Sequence, residues 1–335
     1  MNELNHHSAT KSILVTGGSG LVGNELIRQL LQQGEKVKAI VNKSPLSINH
    51  ENLEIAECDI LDVIGLEAVM ENVDIVYHCA GFISYAPQNK SRLYKINVEG
   101  TANMVNAALL ADVEKFIHVS SIAALGKFTQ GKIIDETIEW TDDAKNSVYG
   151  HSKYLGELEV WRGIAEGLNA AIVNPSIILG PGNKWEGSTA IFKNIHDGFA
   201  WYTEGVNGFV DVRDVALSMI MLAESKISAE KFILNASNEL YRDIFFMIAD
   251  ALHKPRPKYK ITHTLAGLVW RLEQFKGIFS QKEPLVTKET ASTALAIVKF
   301  DNQKLLQALP QFTYRSMKDT IEFTCEKLKQ KLNNQ

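Results

Sequence analysis

Cysteine, long apolar runs and clustered basic residues are all scarce in this sequence of 335 residues. The three cysteines are widely spaced, which excludes a disulfide framework and a CxxC metal site; we expect no bound metal and a reducing, cytoplasmic location. No apolar stretch is long enough to span a bilayer, so no integral membrane segment is expected. The net charge of −4, without a basic block, disfavours nucleic acid as a partner.

The composition is that of an ordinary globular protein, with 45% hydrophobic and 22% charged residues. Segment 1–11 is polar and lacks the apolar region of a secretory signal, and we expect it to be a disordered tail. From residue 12 onward, short β-rich runs alternate with helical segments. The strands are predicted at Ser12–Thr16, Lys36–Val41, Leu53–Ala56, Val73–His78, Lys115–Ser120 and Ala170–Asn174. The helices are predicted at Asn24–Gln33, Leu93–Leu110 and Val148–Glu166.

This alternation predicts an α/β fold with a doubly wound parallel Rossmann sheet. We assign residues 12–175 to a dinucleotide-binding domain, which also takes in parts of 205–240. Residues 176–335 are predicted to form mainly a smaller, substrate-binding C-terminal subdomain that covers the carboxyl edge of the sheet. In that part we predict a strand at Phe209–Arg213, a helix at Asp214–Ala223, a last strand at Phe232–Asn235, and helices from Tyr241 onward.

A glycine-rich loop follows the first predicted strand and opens a helix. It contains two overlapping patterns, Gly18-x-Gly20-x-x-Gly23 and Gly17-x-x-Gly20-x-x-Gly23. Glycine is needed where the backbone turns tightly, approaches a pyrophosphate or packs a helix onto a strand. The helix that follows would present free N–H groups and the positive end of its dipole to the phosphates. The loop therefore predicts a dinucleotide site.

The end of the second predicted strand carries Asn42 and Lys43 instead of the carboxylate that favours NAD by binding the ribose 2′-hydroxyl. Lys43 can meet a 2′-phosphate and Asn42 can hydrogen-bond either ribose, so we predict NADP, with NAD as the alternative. A solvated loop lysine is an equally good interpretation of Lys43. Asp59, after the third strand, is predicted either to contact the adenine edge or to cap the next helix.

Tyr149 and Lys153 stand four residues apart on a predicted helix and therefore on one face. A tyrosine acid/base must have its pKa of about 10 lowered to act near neutrality, and a nearby lysine charge does this. A second pair with this spacing, Tyr314 and Lys318, lies beyond the alternating region, and we interpret it as structural. The first pair follows a strand of the parallel sheet, beyond whose carboxyl end ligands bind.

Ser120 and Ser121 close the predicted strand that precedes this helix. A hydroxyl at that position can hydrogen-bond the substrate oxygen and stabilise its developing charge. Serine is also common as a turn or cap residue at strand ends, and the sequence leaves both roles open.

Several motifs in a fixed order make the sequence similar to the short-chain dehydrogenase/reductase superfamily, specifically its extended branch, the NAD-dependent epimerase/dehydratase superfamily. They are Thr16–Gly23, Asp59-Ile60, His78–Gly81, Asn97–Thr101, Val119–Ser121, Tyr149–Lys153 and Asn174–Ser176. The resemblance covers residues from about 12 to about 240.

The resemblance implies roles for the site residues. It makes Ser121 the catalytic serine, Tyr149 the acid/base, and Lys153 the group that lowers the tyrosine pKa and bonds the nicotinamide ribose. Asn97 is implied to be supportive. The cofactor-binding residues implied by patterns and resemblance together are Gly17, Gly20, Leu21, Val22, Gly23, Asn42, Lys43, Asp59, Ile60, Ala80, Gly81, Ser120, Tyr149, Lys153, Pro175 and Ser176.

Within the branch, the sequence looks most like dihydroflavonol-reductase-like and 3β-hydroxysteroid-dehydrogenase-like members. The runs that carry this likeness are Phe82–Tyr85, Asn97–Thr101, Phe209–Ala216 and Pro284–Thr290. The implied function is an NAD(P)-dependent oxidoreductase that interconverts a secondary alcohol and a ketone or aldehyde of a small substrate. The pocket loops are predicted at Phe82–Gln88, Lys127–Asn146 and Trp185–Tyr202, and their aromatic content suggests that this substrate is fairly apolar. Reductases of this kind often have arginine where Asn42 stands, which weakens the NADP inference.

Two other functions stay open. A nucleotide-sugar epimerase or dehydratase needs a second phosphate site, to which only Lys184 and Arg213 offer a contribution. A dehydratase also needs a carboxylate beside the catalytic serine, but Ser121 is followed by Ile122-Ala123. A non-catalytic dinucleotide sensor usually loses the tyrosine or the lysine, and this chain keeps both.

The resemblance further implies a homodimer through the helices at 91–111 and 146–166, although an apolar face there can equally pack internally. Segment 265–279 carries apolar residues at helical spacing. This segment is open to four interpretations: a substrate lid, a membrane-surface helix, a subunit contact or ordinary core packing.

Overall fold

The computed structural model describes residues 11–126, 131–141, 146–182, 187–262 and 288–333. Segment 265–279 and the predicted tail, apart from its last residue, Lys11, lie outside these ranges. Lys11 bonds to Glu114, with 2.6 Å between Nζ and Oε2.

The described strands are β1 (Ile13–Thr16), β2 (Val37–Val41), β3 (Leu53–Glu57), β4 (Ile75–His78), β5 (Lys115–Val119), β6 (Ile133–Ile134), β7 (Ala170–Pro175), β8 (Ile177–Leu179), β9 (Trp201–Tyr202), β10 (Val206–Asp211), β11 (Glu230–Leu234), β12 (Ser237–Leu240), β13 (Tyr259–Lys260) and β14 (Lys299–Phe300). The described α-helices are α1 (Leu21–Gln32), α2 (Val63–Met70), α3 (Lys90–Tyr94), α4 (Gly100–Leu110), α5 (Val148–Ala165), α6 (Ala190–His196), α7 (Val212–Glu224), α8 (Tyr241–Ala251), α9 (Lys288–Leu295), α10 (Gln303–Ala308) and α11 (Met317–Asn333).

A seven-stranded sheet in the order β3-β2-β1-β4-β5-β7-β11 forms the centre of the molecule, and every neighbouring pair is parallel. Its inner strands are buried on both faces, which is why most of their residues are apolar and do not alternate with polar ones. Helices α1 and α7 cover one face through Leu26 and Met219. Helices α2, α4 and α5 cover the other through residues such as Met104 and Val160. The predicted doubly wound parallel Rossmann sheet is confirmed.

Strands β2 and β3 follow one another on one side of β1, and β4 and β5 follow one another on its other side, so the strand order reverses between β1 and β4. Ligands of open α/β sheets bind outside the carboxyl ends of the strands at such a switch point. Thr16 and His78 end these two strands and are paired in the sheet register. The fold therefore places the glycine loop after β1 beside the segment after β4.

The long helix predicted at 93–110 contains a π-helical turn. Helix α3 ends at Tyr94, a π-helical turn covers Lys95–Glu99, and α4 begins at Gly100. The buried Asn97 occupies the turn and uses its side chain for contacts outside the helix. A π-helical turn is a local irregularity within an α-helix. The α-helical spacing of apolar residues predicted the helix but not this turn.

Two boundaries in the second half also differ from the prediction. Strand β10 ends at Asp211, and α7 begins at Val212 instead of Asp214, because the Asp211 carboxylate accepts a hydrogen bond from the Arg213 backbone N–H at 2.7 Å and caps the helix. Beyond Tyr241 the chain is not purely helical, since short strands β13 and β14 pair with β9 and β6.

A further hydrophobic cluster lies beyond the two that cover the faces of the central sheet. It joins α6, α8 and α11 through Phe192, Ile244 and Ile321, next to the three-stranded sheet β12-β10-β8. No helix within the described ranges is both long and apolar enough to cross a membrane.

Candidate active site

The glycine loop is shaped by contacts that leave no room for side chains. Gly17 has φ +67°, and a Cβ there would lie 2.7 Å from the Ala80 backbone nitrogen. A Cβ on Gly23 would lie 2.4 Å from the Gly17 carbonyl oxygen. Gly20 donates its N–H to that same oxygen at 2.9 Å and precedes α1 without a side-chain cap. A tight turn that leads to an uncapped helix N-terminus fits the pyrophosphate of a dinucleotide.

The ends of β1 and β4 are held together by side chains. The Thr16 hydroxyl accepts a hydrogen bond from the Ala80 N–H at 3.0 Å and lies 2.9 Å from His78 Nδ1. His78 is fully buried, and its Nε2 lies 3.1 Å from the Thr101 hydroxyl. Burial lowers the pKa of His78 to about 3, so this imidazole is neutral. It supports the loop that carries Ala80 and Gly81.

The predicted ribose and adenine residues also lie close together. Asn42 Nδ2 donates to Asp59 Oδ2 at 2.8 Å. Asp59 does not cap a helix, because the cap of α2 is Asp62; its Oδ1 accepts instead from Leu61 N–H at 3.0 Å. Lys43 is exposed beside this pair. Ile60 is buried, and its side chain packs on the face of the sheet that α2, α4 and α5 cover.

Tyr149 lies in the first turn of α5, which is capped by Ser147 accepting from the Gly150 N–H at 2.7 Å. Burial raises the pKa of Tyr149, and a hydrogen bond with Ser121 acts in the opposite direction. Ser121 also caps the short 3₁₀ turn Ile122–Leu125, so the role as a cap and the role as a site residue are compatible. The two hydroxyls that the sequence assigned to catalysis are therefore adjacent.

Lys153 lies one turn further along α5 and is 5% exposed. Its Nζ donates to the Val119 carbonyl at 2.8 Å, at the end of β5. Burial lowers the pKa of Lys153 to about 8, against the opposing effects of Glu157 and Cys79. An ammonium with this pKa keeps most of its charge at pH 7, which is what a tyrosine acid/base requires of its neighbour.

Asn97 connects the loop after β4 to α5. Its Oδ1 accepts from the Phe82 N–H at 2.8 Å, and its Nδ2 donates to the Phe82 carbonyl at 2.9 Å and to the Ser152 hydroxyl at 2.9 Å. A Cβ on Gly81 would lie 3.4 Å from Asn97 Oδ1 and 3.8 Å from Lys153 Nζ. Gly81 therefore lies directly against Asn97 and Lys153.

The end of β7 completes the floor of the site. Asn174 is fully buried and donates from Nδ2 to the Ser121 carbonyl at 3.0 Å and to Glu157. Pro175 ends the strand, and the buried Ser176 follows with its N–H bonded to the Leu234 carbonyl at 2.9 Å. Burial raises the pKa of Glu157, and the Ser120 hydroxyl acts in the opposite direction.

Aromatic side chains pack along α5, and one of them meets Tyr149. The Tyr85 ring meets the Tyr149 ring edge-on, with 5.7 Å between centroids, and Tyr85 is 39% exposed. On the other side of α5, Trp140 stacks on Tyr154 at 4.5 Å. The predicted pocket loops 127–146 and 185–202 lie partly outside the described residues.

The other candidates are engaged elsewhere. Tyr314 precedes α11 and packs against Phe312 at 4.8 Å, while Lys318 is exposed, so this second pair does not share a helix face in a site. Arg213 pairs with Asp211 and Asp319. Lys184 lies outside the described residues.

The structure thus brings the glycine loop, the segment after β4, Ser121, Tyr149 and Lys153 to one edge of the sheet. Sequence reasoning missed Glu157, and it included Tyr85 only as part of a loop. The i, i+4 spacing from Lys153 to Glu157 was a usable signal for the carboxylate, but nothing local marked its burial.

Comparison with known proteins identifies the family of this chain. The model of the NAD dependent epimerase/dehydratase family matches residues 13–236. A relative from Synechocystis sp. named "Putative dihydroflavonol 4-reductase" is 31% identical over 269 residues, which cover 76% of this chain and 77% of that protein.

Solved structures show the same fold. A crystal structure of gox2253 superposes with a TM-score of 0.82 at 30% identity and covers 96% of this chain and 98% of that one. The structure of MoeE5 in complex with UDP-glucose and NAD has a TM-score of 0.76 at 18% identity, covering 96% of this chain and 99% of that one. The second likeness shows the fold alone. With a family match over more than half of its length, the chain belongs to the NAD dependent epimerase/dehydratase family, the extended branch of the short-chain dehydrogenase/reductase superfamily.

Proposed function

We propose that the protein is an NADP-linked oxidoreductase that interconverts a secondary alcohol and a ketone or aldehyde of a small, fairly apolar substrate. The adjacency of Ser121, Tyr149 and Lys153 beside a glycine-lined dinucleotide cradle carries this proposal.

In the proposed mechanism, Tyr149 gives a proton to the substrate oxygen or takes one from it. The Ser121 hydroxyl holds that oxygen and stabilises its developing charge. The Lys153 ammonium favours the tyrosinate form and bonds the nicotinamide ribose. A nicotinamide dinucleotide, when bound, supplies or accepts the hydride.

The choice of substrate class is supported by the apolar residues next to Tyr149, which form one wall of the proposed site. Tyr85 presents a partly exposed ring edge-on to Tyr149, and Ile83 beside it is 60% exposed. Their loop is anchored by Asn97 and by Ser84, whose hydroxyl accepts from the Ala86 N–H at 3.1 Å. A fixed apolar wall favours a planar or hydrophobic carbonyl compound over a sugar.

The nucleotide-sugar alternative is less well supported. Arg213 is the described cation that the sequence offered for a second diphosphate, and its guanidinium is bound by Asp211 and Asp319 at 2.6 Å and 2.7 Å. Releasing it for a phosphate would leave the fully buried Asp211 carboxylate without its cation.

Three further assignments are also proposals. We propose that residues 176–335 mainly bind substrate, that a homodimer forms through α4 and α5, on which Leu110 and Leu158 are exposed, and that the protein is cytoplasmic. Sedimentation velocity of the purified chain tests the dimer.

Titration with NADPH and NADH separately, followed by fluorescence and calorimetry, tests the function. Tight NADPH binding, followed by NADPH-linked turnover of aromatic or alkyl ketones, is the expected result. Preference for NADH would overturn the cofactor choice and favour the epimerases. Failure to bind either would overturn the oxidoreductase assignment.

A further inference from the structure

A buried carboxylate lies behind the proposed active site. Glu157 follows Lys153 by four residues and Tyr149 by eight on α5, so the three side chains form one stripe along the helix. Glu157 is 3% exposed. Burying a carboxylate is costly unless it is paired and hydrogen-bonded, so its position requires partners.

The partners of Glu157 belong to the site. Asn174 donates from Nδ2 to Glu157 Oε1 and, at 3.0 Å, to the carbonyl of Ser121. The Ser120 hydroxyl also favours the ionised form of the Glu157 carboxyl group. A single amide therefore links Glu157 to the backbone that carries the proposed catalytic serine.

The charges around this carboxylate come from two elements. Lys153 of α5 and Lys231 of β11 both favour its ionised form, while burial raises the pKa of Glu157. Three more titratable groups interact electrostatically with Lys153. They are His78 at the end of β4, Cys79 directly after it, and His118 in β5. Burial raises the pKa of Cys79 to about 12, so its thiol is neutral.

Both histidines are also neutral, because burial lowers the pKa of each well below 6.5. Among the described groups that raise the pKa of Lys153, Glu157 is therefore the one carboxyl group.

We propose that Glu157 is a positioning residue: its negative charge keeps Lys153 protonated inside the closed site, and through Asn174 it fixes the backbone of Ser121. The proposal rests on the proposed function, since it assigns a supporting role to a residue behind the same catalytic group. It explains why an ionisable residue occupies a place where an apolar one would pack at lower cost.

The test compares Glu157→Gln with Glu157→Asp and with the control Glu159→Gln. Glutamine keeps the size and the acceptor for Asn174 but removes the charge, and aspartate keeps the charge. Glu159 lies on the same helix and pairs with Arg162 at the surface at 2.9 Å. NADPH affinity and turnover are followed between about pH 6 and pH 10.

In the wild type, affinity and turnover are expected to fall as Lys153 loses its proton near pH 8. We call this fall the alkaline limb of the pH profile. In Glu157→Gln the alkaline limb moves to lower pH by about 1 unit, because removing an opposite charge at short range lowers the pKa of Lys153 by about that amount. Glu159→Gln and Glu157→Asp keep the wild-type limb to within about 0.3 unit. An unmoved limb in Glu157→Gln overturns the proposal. If the glutamine variant does not fold, a limb displaced by about a full unit in Glu157→Asp overturns it instead.

A second readout separates this proposal from the proposed function. The unfolding free energy, measured by urea denaturation, rises with pH where the unfolded chain holds the Lys153 proton and the folded protein does not. This rise begins near pH 8 in the wild type and about 1 unit lower in Glu157→Gln. If the wild type binds no dinucleotide, the proposed function fails, while this shift, or its absence, still decides the role of Glu157.

Discussion

Replacing Gly23 by alanine tests whether the glycine loop is built by steric exclusion. The added Cβ would lie 2.4 Å from the Gly17 carbonyl oxygen, whereas ordinary contact begins at 3.4 Å. The loop must therefore move by about 1 Å relative to α1, and overpacking of this kind costs about 2 kcal/mol of unfolding free energy. For a chain of this length that corresponds to a fall in Tm of about 3 °C.

The same displacement takes the backbone N–H groups away from the pyrophosphate. Loss of about two charge-assisted hydrogen bonds, at about 1.5 kcal/mol each, weakens dinucleotide binding about 100-fold. Gly34→Ala is the matched control. Gly34 lies just beyond the far end of α1 at φ +85°, and no atom lies within 4 Å of the position that a Cβ would take. Alanine there costs about 1–2 kcal/mol of strain without touching the loop.

NADPH titration by fluorescence, with thermal unfolding alongside, measures both effects. Gly23→Ala should lose stability and affinity, and Gly34→Ala stability alone. A folded Gly23→Ala that binds NADPH as tightly as the wild type would refute the steric reasoning.

Three further substitutions separate the proposed roles. Lys43→Ala should weaken NADPH binding about tenfold and leave NADH binding unchanged, because one charged hydrogen bond to the 2′-phosphate is lost; equal effects on both nucleotides would show that Lys43 is only a solvated side chain. Tyr149→Phe should lower turnover by about 10²–10⁴-fold with NADPH affinity within about twofold, and retained turnover would remove Tyr149 from the mechanism. Tyr85→Ala should raise KM for aromatic ketones about tenfold while Tyr85→Phe stays near the wild type; an unchanged KM in Tyr85→Ala would contradict the wall assignment.

Local chemistry explains why so much of the fold was predictable. Short, mostly apolar runs such as Ala170–Asn174 between helical segments are typical of buried strands. The spacing of Gly17, Gly20 and Gly23 indicates a tight turn and a close helix contact that other residues cannot make. The Tyr149 and Lys153 pair depends on helical periodicity alone. These features lie within a few residues of one another, so the sequence by itself determined them.

Other features depend on residues that are distant in the chain. The π-helical turn at Lys95–Glu99 accompanies the bonds of Asn97 to Phe82 and to Ser152, and the start of α7 depends on how Asp211 turns back at the end of β10. Neither set of contacts is marked in the local sequence, which is why the π-helical turn and the start of α7 were not predicted.

The electrostatics of the site belong to the tertiary structure alone. The sequence placed a lysine near a tyrosine, but burial under β5 and β7, the bond to the Val119 carbonyl and the carboxylate of Glu157 decide how that lysine titrates. Desolvation depends on everything that surrounds a group, and the surroundings of Lys153 include the end of β5, the segment after β4 and α5. The sequence therefore determined which groups are proposed for the chemistry, whereas only tertiary packing decides how those groups titrate.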